Sequence, residues 1–206
     1  MILRTGLTGG IASGKSAISR MLAALGCMTI DADQIVARLY EPGQAGHTAL
    51  VKTYGSGILA GNGTVDRRKL ADIAFASDES AKALNALIHP LVVAEEAARM
   101  AAEEQRAGDD DRIVIVEATL LIEAGGKDRY DRIVVVDAEP ETQLARAVAR
   151  GMTREDAARR IAHQMPREER LRYADYVIDN SGDFDAARAE TTRVFQSLMQ
   201  DLAARR

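Results

Sequence analysis

Residues 9–16 read Gly9-Gly10-Ile11-Ala12-Ser13-Gly14-Lys15-Ser16. They satisfy G-x-x-x-x-G-K-[S/T], and the apolar run before them and the helical pattern after Lys15 supply the strand–loop–helix setting this motif needs. Each residue type has a physical reason. Glycines let the backbone curl so that successive N–H groups point at phosphate oxygens. The helix start adds the positive end of its dipole. Lys15 is placed to reach β- and γ-phosphates, and the Ser16 hydroxyl to coordinate Mg²⁺. The competing reading, a glycine-rich turn before an ordinary helix, explains neither the lysine nor the serine. A nucleoside-triphosphate site is expected over Gly9, Gly10, Ile11, Ala12, Ser13, Gly14, Lys15 and Ser16, with Lys15 also catalytic.

Carboxylates stand where such a site uses them. Ile30-Asp31-Ala32-Asp33 ends the second strand-like run. In an extended chain residues two apart share a side, so one of Asp31 and Asp33 could take a proton from an attacking hydroxyl and help order Mg²⁺ and its water. Either could instead cap the next helix, and for Asp31 the two readings stand even. Glu117, closing the third strand-like run, is a second candidate beside Mg²⁺, with capping as its alternative. Arginines form the third group. Gln143, Arg146 and Arg150 fall at helical spacing, and seven arginines lie between 150 and 172, with acids at 155, 156, 168 and 169. Arginine clamps phosphate with a planar fork, and a lid closing over a nucleotide would use it. Arg146 and Arg150 are expected to be functional and the remaining lid arginines to be surface residues.

The elements that must position these groups follow from periodicity. Apolar, β-branched runs at 2–7, 27–30, 112–117, 132–137 and 176–179 read as strands covered on both faces. Helical patterns occupy 15–25, 141–150, 153–164 and 184–205. The alternation predicts an α/β fold, a five-stranded parallel sheet with flanking helices. It is interrupted at 34–111, where helical segments around 34–40, 44–54, 67–76, 78–88 and 90–106 replace strands. Three regions are therefore expected: a nucleotide-binding core of 1–33, 112–149 and 174–206, a helical insertion at 34–111, and a lid at 150–173. The run Gly108-Asp109-Asp110-Asp111 reads as a solvated loop.

The chain has 206 residues, 47% hydrophobic and 28% charged, with a net charge of −4. These values fit a globular chain and argue against a broad basic nucleic-acid platform. The single cysteine, Cys27, excludes a disulfide framework and reads as a buried, inert thiol. No run approaches the ~20 apolar residues of a membrane helix, and no signal-peptide layout opens the chain. A soluble, cytoplasmic protein is expected, with no nucleic-acid or membrane partner and a monomer favoured. Among phosphate-loop proteins, the lack of Asn-Lys-x-Asp argues against a guanine-reading GTPase, and Asp179-Asn180-Ser181-Gly182 comes too late in the chain to be a switch loop. A small-molecule kinase is favoured.

Several blocks together resemble one family. These are LTGGIASGKS (7–16), IDAD (30–33), GTVDRRKLADIAF (63–75), LNALIHPLV (84–92), TLLIE (119–123), ETQLARAVAR (141–150), RIAHQ (160–164) and ADYVIDNSG (174–182). The chain resembles the dephospho-coenzyme A kinases, P-loop kinases, over nearly its whole length. The resemblance implies transfer of the ATP γ-phosphoryl group to the ribose 3′-hydroxyl of dephospho-coenzyme A, with Mg²⁺. It places the base on Asp33, the lid arginine on Arg146, adenine-side contacts around Asn180 and Gly182, and acceptor contacts at His89, Leu120 and Leu121 in addition to Asp33. Read without it, His89 is a helix cap before Pro90. Three residues depart from the family's pattern. Ala12 replaces a usual glycine, so its φ is expected to stay negative. Thr119 replaces proline and Ile122 replaces phenylalanine, which leaves the fine shape of the acceptor pocket open. The alternatives are a nucleoside or nucleotide kinase, and a phosphate-loop switch that hydrolyses ATP without an acceptor.

Overall fold

The computed structural model describes residues 1–74, 76–108 and 110–205. Phe75 of the 63–75 block, Asp109 of the acidic loop and the terminal Arg206 lie outside the described residues. The chain divides into two compact units, one of Met1–Ile30 with Glu103–Arg206 and one of Asp31–Ala102.

The first unit is built on five parallel strands: β1 (Ile2–Gly9), β2 (Met28–Asp31), β3 (Arg112–Glu117), β4 (Arg132–Asp137) and β5 (Tyr176–Asp179). Their order in the sheet is β2-β3-β1-β4-β5. The central strand β1 is paired in parallel on both sides, Leu7 opposite Glu117 of β3 and Gly9 opposite Val136 of β4. A strand paired on both edges and covered on both faces is buried along its length, and only Arg4 of β1 is exposed. Helices α1 (Lys15–Ala24) and α9 (Phe184–Ala203) supply Ile18, Leu22, Val194, Leu198 and Leu202 to a core shared with Leu3, Leu7, Ile115 and Val134. Cys27 lies in this core, where burial pushes its thiol up to about 12. Three further helices follow β4: α6 (Pro140–Ala149), α7 (Arg154–Ala162) and α8 (Arg167–Leu171). Pro140 opens α6, and the Thr153 hydroxyl caps α7 by accepting from the Asp156 N–H at 3.1 Å.

The second unit holds α2 (Ala32–Leu39), α3 (Ala45–Tyr54), α4 (Arg67–Ala74) and most of α5 (Asp78–Ala107). Two expectations for this stretch change. The segments expected at 78–88 and 90–106 are one helix, with Pro90 inside it. Proline removes the N–H that would bond the Ala86 carbonyl, yet the flanking residues keep the helix running. The stretch is also not wholly free of strand pairing: Leu59 and Val65 form an isolated antiparallel bridge across the Gly61-Asn62-Gly63 turn. Strand β1 runs two residues past Leu7, to Gly9.

Gly46 shows packing overruling propensity. Alanine is favoured over glycine within helices, by up to about 1 kcal/mol in their interiors, and Gly46 stands in the first turn of α3. A Cβ on Gly46 would lie 2.7 Å from the Leu39 carbonyl oxygen. Gly46→Ala should therefore destabilise the second unit by about 1–3 kcal/mol, the range for overpacking. Chemical denaturation followed by a probe in that unit checks it; a stabilised variant would mean that α2 and α3 part freely.

Candidate active site

The loop after β1 has the shape its sequence requires. Gly9 has φ 158°, and Gly14, at the start of α1, has φ 94°. No side chain caps α1, and no acidic residue stands in its first turn. The N-cap position thus offers no side-chain acceptor to the first turn, an arrangement that favours an anion. The loop is held by its carbonyls. The Asn180 Nδ2 donates to the Ser13 oxygen at 2.6 Å, and Asn180 is itself tied down through its own N–H to the Asp137 oxygen at 2.8 Å. Lys15 Nζ lies 3.4 Å from the Gly9 oxygen, and the Ser13 N–H bonds the Gly10 oxygen at 3.1 Å. A side chain on Gly14 would run into the Asn180 amide.

Ala12 is a correction. Its φ is +55°, the single positive value outside glycine among the described residues. The turn imposes the left-handed conformation, and alanine adopts it at a cost of roughly 1–2 kcal/mol.

Ser16 Oγ donates to Glu117 Oε1 at 2.7 Å, and Glu117 is buried at 8% exposure. The register that sets Leu7 opposite Glu117 brings that carboxylate to the loop. One hydroxyl and one carboxylate fit Mg²⁺, which keeps several waters and takes its other ligands from substrate phosphates. No cluster of three or more His, Cys, Asp or Glu suited to a metal occurs among the described residues, as that mode of binding allows.

Two guanidinium groups bracket the loop. Arg146 Nη1 lies 3.9 Å from the position of a Cβ on Gly14, and it is buried with no hydrogen-bond partner among the described residues. Arg170 Nη1 lies 3.2 Å from the position of a Cβ on Gly10. Arg170 is only 5% exposed, which corrects the expectation that the lid arginines beyond Arg150 are surface residues. Desolvation holds its guanidinium below the ordinary arginine value, against the pull of Glu123. Arg167 is the opposite case: its fork grips Asp137 with Nη2 at 2.7 Å and Nε at 2.9 Å, and these hydrogen bonds hold its charge firmly. Arg150 is exposed at the end of α6.

The lid also reaches the loop through Gln164, whose Oε1 accepts from the Ile11 N–H at 2.7 Å. Gln143, buried, donates from Nε2 to the Ala138 oxygen and sets its Oε1 against Gly10. Gln143, Gln164 and Arg170 line a recess of about 300 Å³ with Ile161 and Met165. Neither Gln164 nor Arg170 was singled out by the sequence. Gln164 stands in the RIAHQ block, but nothing in spacing separates Arg170 from its neighbours.

Asp31 and Asp33 do not share one side of an extended chain, because α2 begins at Ala32. Asp31 caps α2, accepting from the Gln34 N–H at 3.1 Å and from Gln34 Nε2 at 3.0 Å. Asp33 is exposed in the first turn of α2. His89 is no cap; it lies inside α5, and its Nε2 is buried without a partner among the described residues. Leu121 is core, its Cδ1 2.8 Å from the position of a Cβ on Gly6, while Leu120 is 52% exposed. Gly182 is exposed in the loop before α9.

A parallel sheet of this order, a phosphate loop on its central strand and arginines over that loop define a P-loop kinase. The family model for dephospho-CoA kinase matches residues 3–186. A dephospho-CoA kinase of Aquifex aeolicus is 39% identical over 198 residues, covering 96% of this chain and 98% of that protein. One of Streptomyces avermitilis is 45% identical over 180 residues, 87% of this chain and 85% of that protein. The solved dephospho-CoA kinase of Campylobacter jejuni superposes with a TM-score of 0.71 at 25% identity, covering 98% of this chain and 99% of that one. The chain belongs to the dephospho-CoA kinase family, and is an ATP-dependent kinase that phosphorylates a hydroxyl at the last step of coenzyme A formation.

The strain at Ala12 can be tested directly. Glycine adopts φ +55° without the Cβ clash but loses roughly 0.5–1 kcal/mol more chain entropy on folding. Ala12→Gly should still stabilise the protein by up to about 1 kcal/mol, read as a higher denaturation midpoint. A lower midpoint would show that the turn carries no strain at this residue.

Proposed function

We propose that this chain transfers the ATP γ-phosphoryl group to the ribose 3′-hydroxyl of dephospho-coenzyme A, with the phosphate loop as nucleotide cradle. The observation that carries the reading is the uncapped start of α1 beneath a glycine loop whose carbonyls, rather than its N–H groups, are mostly the tethered side. Lys15 neutralises the β- and γ-phosphates. Arg146 meets charge as it develops on the transferring group, which is why it should weigh on turnover more than on ATP affinity. Ser16 and Glu117 would hold Mg²⁺, which supplies charge neutralisation across the β- and γ-oxygens when bound. Asp31 is left to its cap, since both its oxygens are engaged by Gln34. Asn180 serves the nucleotide by fixing the loop at Ser13, with Gly182 in the loop beyond it. The lid at 150–173 closes over ATP, with Arg150 at its start.

Asp33 is assigned as the base that takes the hydroxyl proton. Its support is the match of Ile30-Asp31-Ala32-Asp33 to the family pattern, together with its exposed place in the first turn of α2. The helical stretch 34–111 is assigned to the acceptor, with His89 and its unpartnered Nε2 as a contact and Leu120 as another. Leu121 shapes that loop from beneath. A cytoplasmic monomer accords with this chemistry, and no helix among the described residues is long and apolar enough to cross a membrane.

Mass analysis of the product after incubation with ATP, Mg²⁺ and dephospho-coenzyme A tests the reaction. ADP release should depend on the acceptor; equal rates with and without it would overturn the kinase reading in favour of a hydrolytic switch. General-base help is typically worth about 10²- to 10⁴-fold, and a loose transition state favours the lower half of that range. Asp33→Asn should therefore lose at least about a hundredfold in kcat while still binding ATP. Asparagine remains a good helix cap, so Asp31→Asn should stay within a few-fold of wild type. The reverse pattern would move the base to Asp31.

A further inference from the structure

Arg170 is a buried and poorly compensated charge beside the phosphate loop. Its Nη2 donates to the Met165 carbonyl at 2.7 Å, the Glu123 carboxylate stands 4.0 Å away, and Asp137, which also attracts it, is already forked by Arg167. Its Nε is buried with no hydrogen-bond partner among the described residues. An isolated guanidinium in such surroundings is strongly unfavourable unless an anion completes its contacts. Three residues earlier Arg167 has a bidentate carboxylate, so the shortfall belongs to Arg170 and not to the helix as a whole.

The direction of this group adds a second observation. Arg170 Nη1 sits over Gly10, and the neighbouring Ile11 N–H bonds the side-chain oxygen of Gln164. An electronegative oxygen thus already occupies the loop donor one residue beyond Gly10. Phosphates nearest the nucleoside sit at the start of the helix, around Gly14 to Ser16. The outermost phosphoryl group then lies toward Gly10 and Ile11.

We propose that Arg170 is a further catalytic residue, which together with the Ile11 N–H grips the terminal phosphoryl oxygens of ATP, the Gln164 oxygen marking their position. This rests on the ATP-dependent phosphoryl transfer proposed above. Arg146 reaches the transferring group from the Gly14 end of the loop, on its leaving-oxygen side, and Arg170 from the Gly10 end, on its terminal oxygens, so the two act on different oxygens. ADP lacks the group that Arg170 holds, and Arg170 is therefore the residue that separates the substrate nucleotide from the product nucleotide.

The experiment compares binding of ADP and of the β,γ-imido analogue of ATP, each with Mg²⁺, by calorimetry. Hydrogen bonds to a charged group are worth about 10- to 100-fold in affinity. Arg170→Gln should lose about that much for the analogue while ADP binding stays within a few-fold, with kcat falling at least tenfold. Arg170→Lys should recover part of both losses, because charge returns without the fork. A purely structural arginine would lower ADP and analogue binding together, and an unchanged preference between them would overturn the proposal. Should Arg170→Gln fail to fold, Glu123→Gln decides. Removing the weak counter-charge should favour the analogue over ADP by about threefold or more, and no change in preference would count against Arg170. Wild type is assayed for acceptor phosphorylation alongside. Loss of that activity would overturn the reaction assigned above, whereas the nucleotide preference reports on Arg170 alone.

Discussion

A phosphate loop must be rigid while most of its N–H groups stay free for a ligand. Whatever holds it has to act through carbonyls or through the space its glycines leave. The structure meets this constraint with side chains drawn from distant parts of the chain. Asn180, after the last strand, donates to the Ser13 carbonyl and fills the space above Gly14. The sheet order follows from the same need. Strand β1 is central because β3 must bring Glu117 to Ser16 on one side, while β4 and β5 bring Asp137 and Asn180 on the other.

Two arginines three residues apart show how differently one residue type is used. Arg167 is half-exposed, forked onto Asp137 and close to Glu139, and it fastens α8 to the end of β4. Arg170 is more deeply buried and worse paired. Stability alone favours the first arrangement, because a buried charge without full compensation is costly. Its place beside the phosphate loop is what makes the second informative.

Much of the sheet was legible because covered parallel strands are continuously apolar: β3, β4 and β5 fall where their runs predict. The loop was legible because its chemistry demands particular residues at fixed spacing. What stayed hidden depends on tertiary context. Pro90 reads as a helix boundary, yet α5 continues through it. Ala12 reads as a residue that avoids positive φ, yet the turn around it leaves no other conformation. Asp31 and Asp33 read as a pair on one extended edge, until the helix proves to start between them. The lid arginines beyond Arg150 look alike in sequence; burial sets Arg170 apart.

The position of β1 also bears on how the chain is made. Of the five strands it is the first to leave the ribosome, yet both its partners, Arg112–Glu117 and Arg132–Asp137, come more than a hundred residues later. The unit of Asp31–Ala102 is synthesised entirely in that interval from local helices, and can fold while β1 waits. During the wait β1 is an apolar strand with both edges open, the kind of segment that pairs with other chains. Growth rate, chaperone supply and codon usage over the first hundred residues should therefore govern the yield of soluble protein more than the stability of the finished fold does.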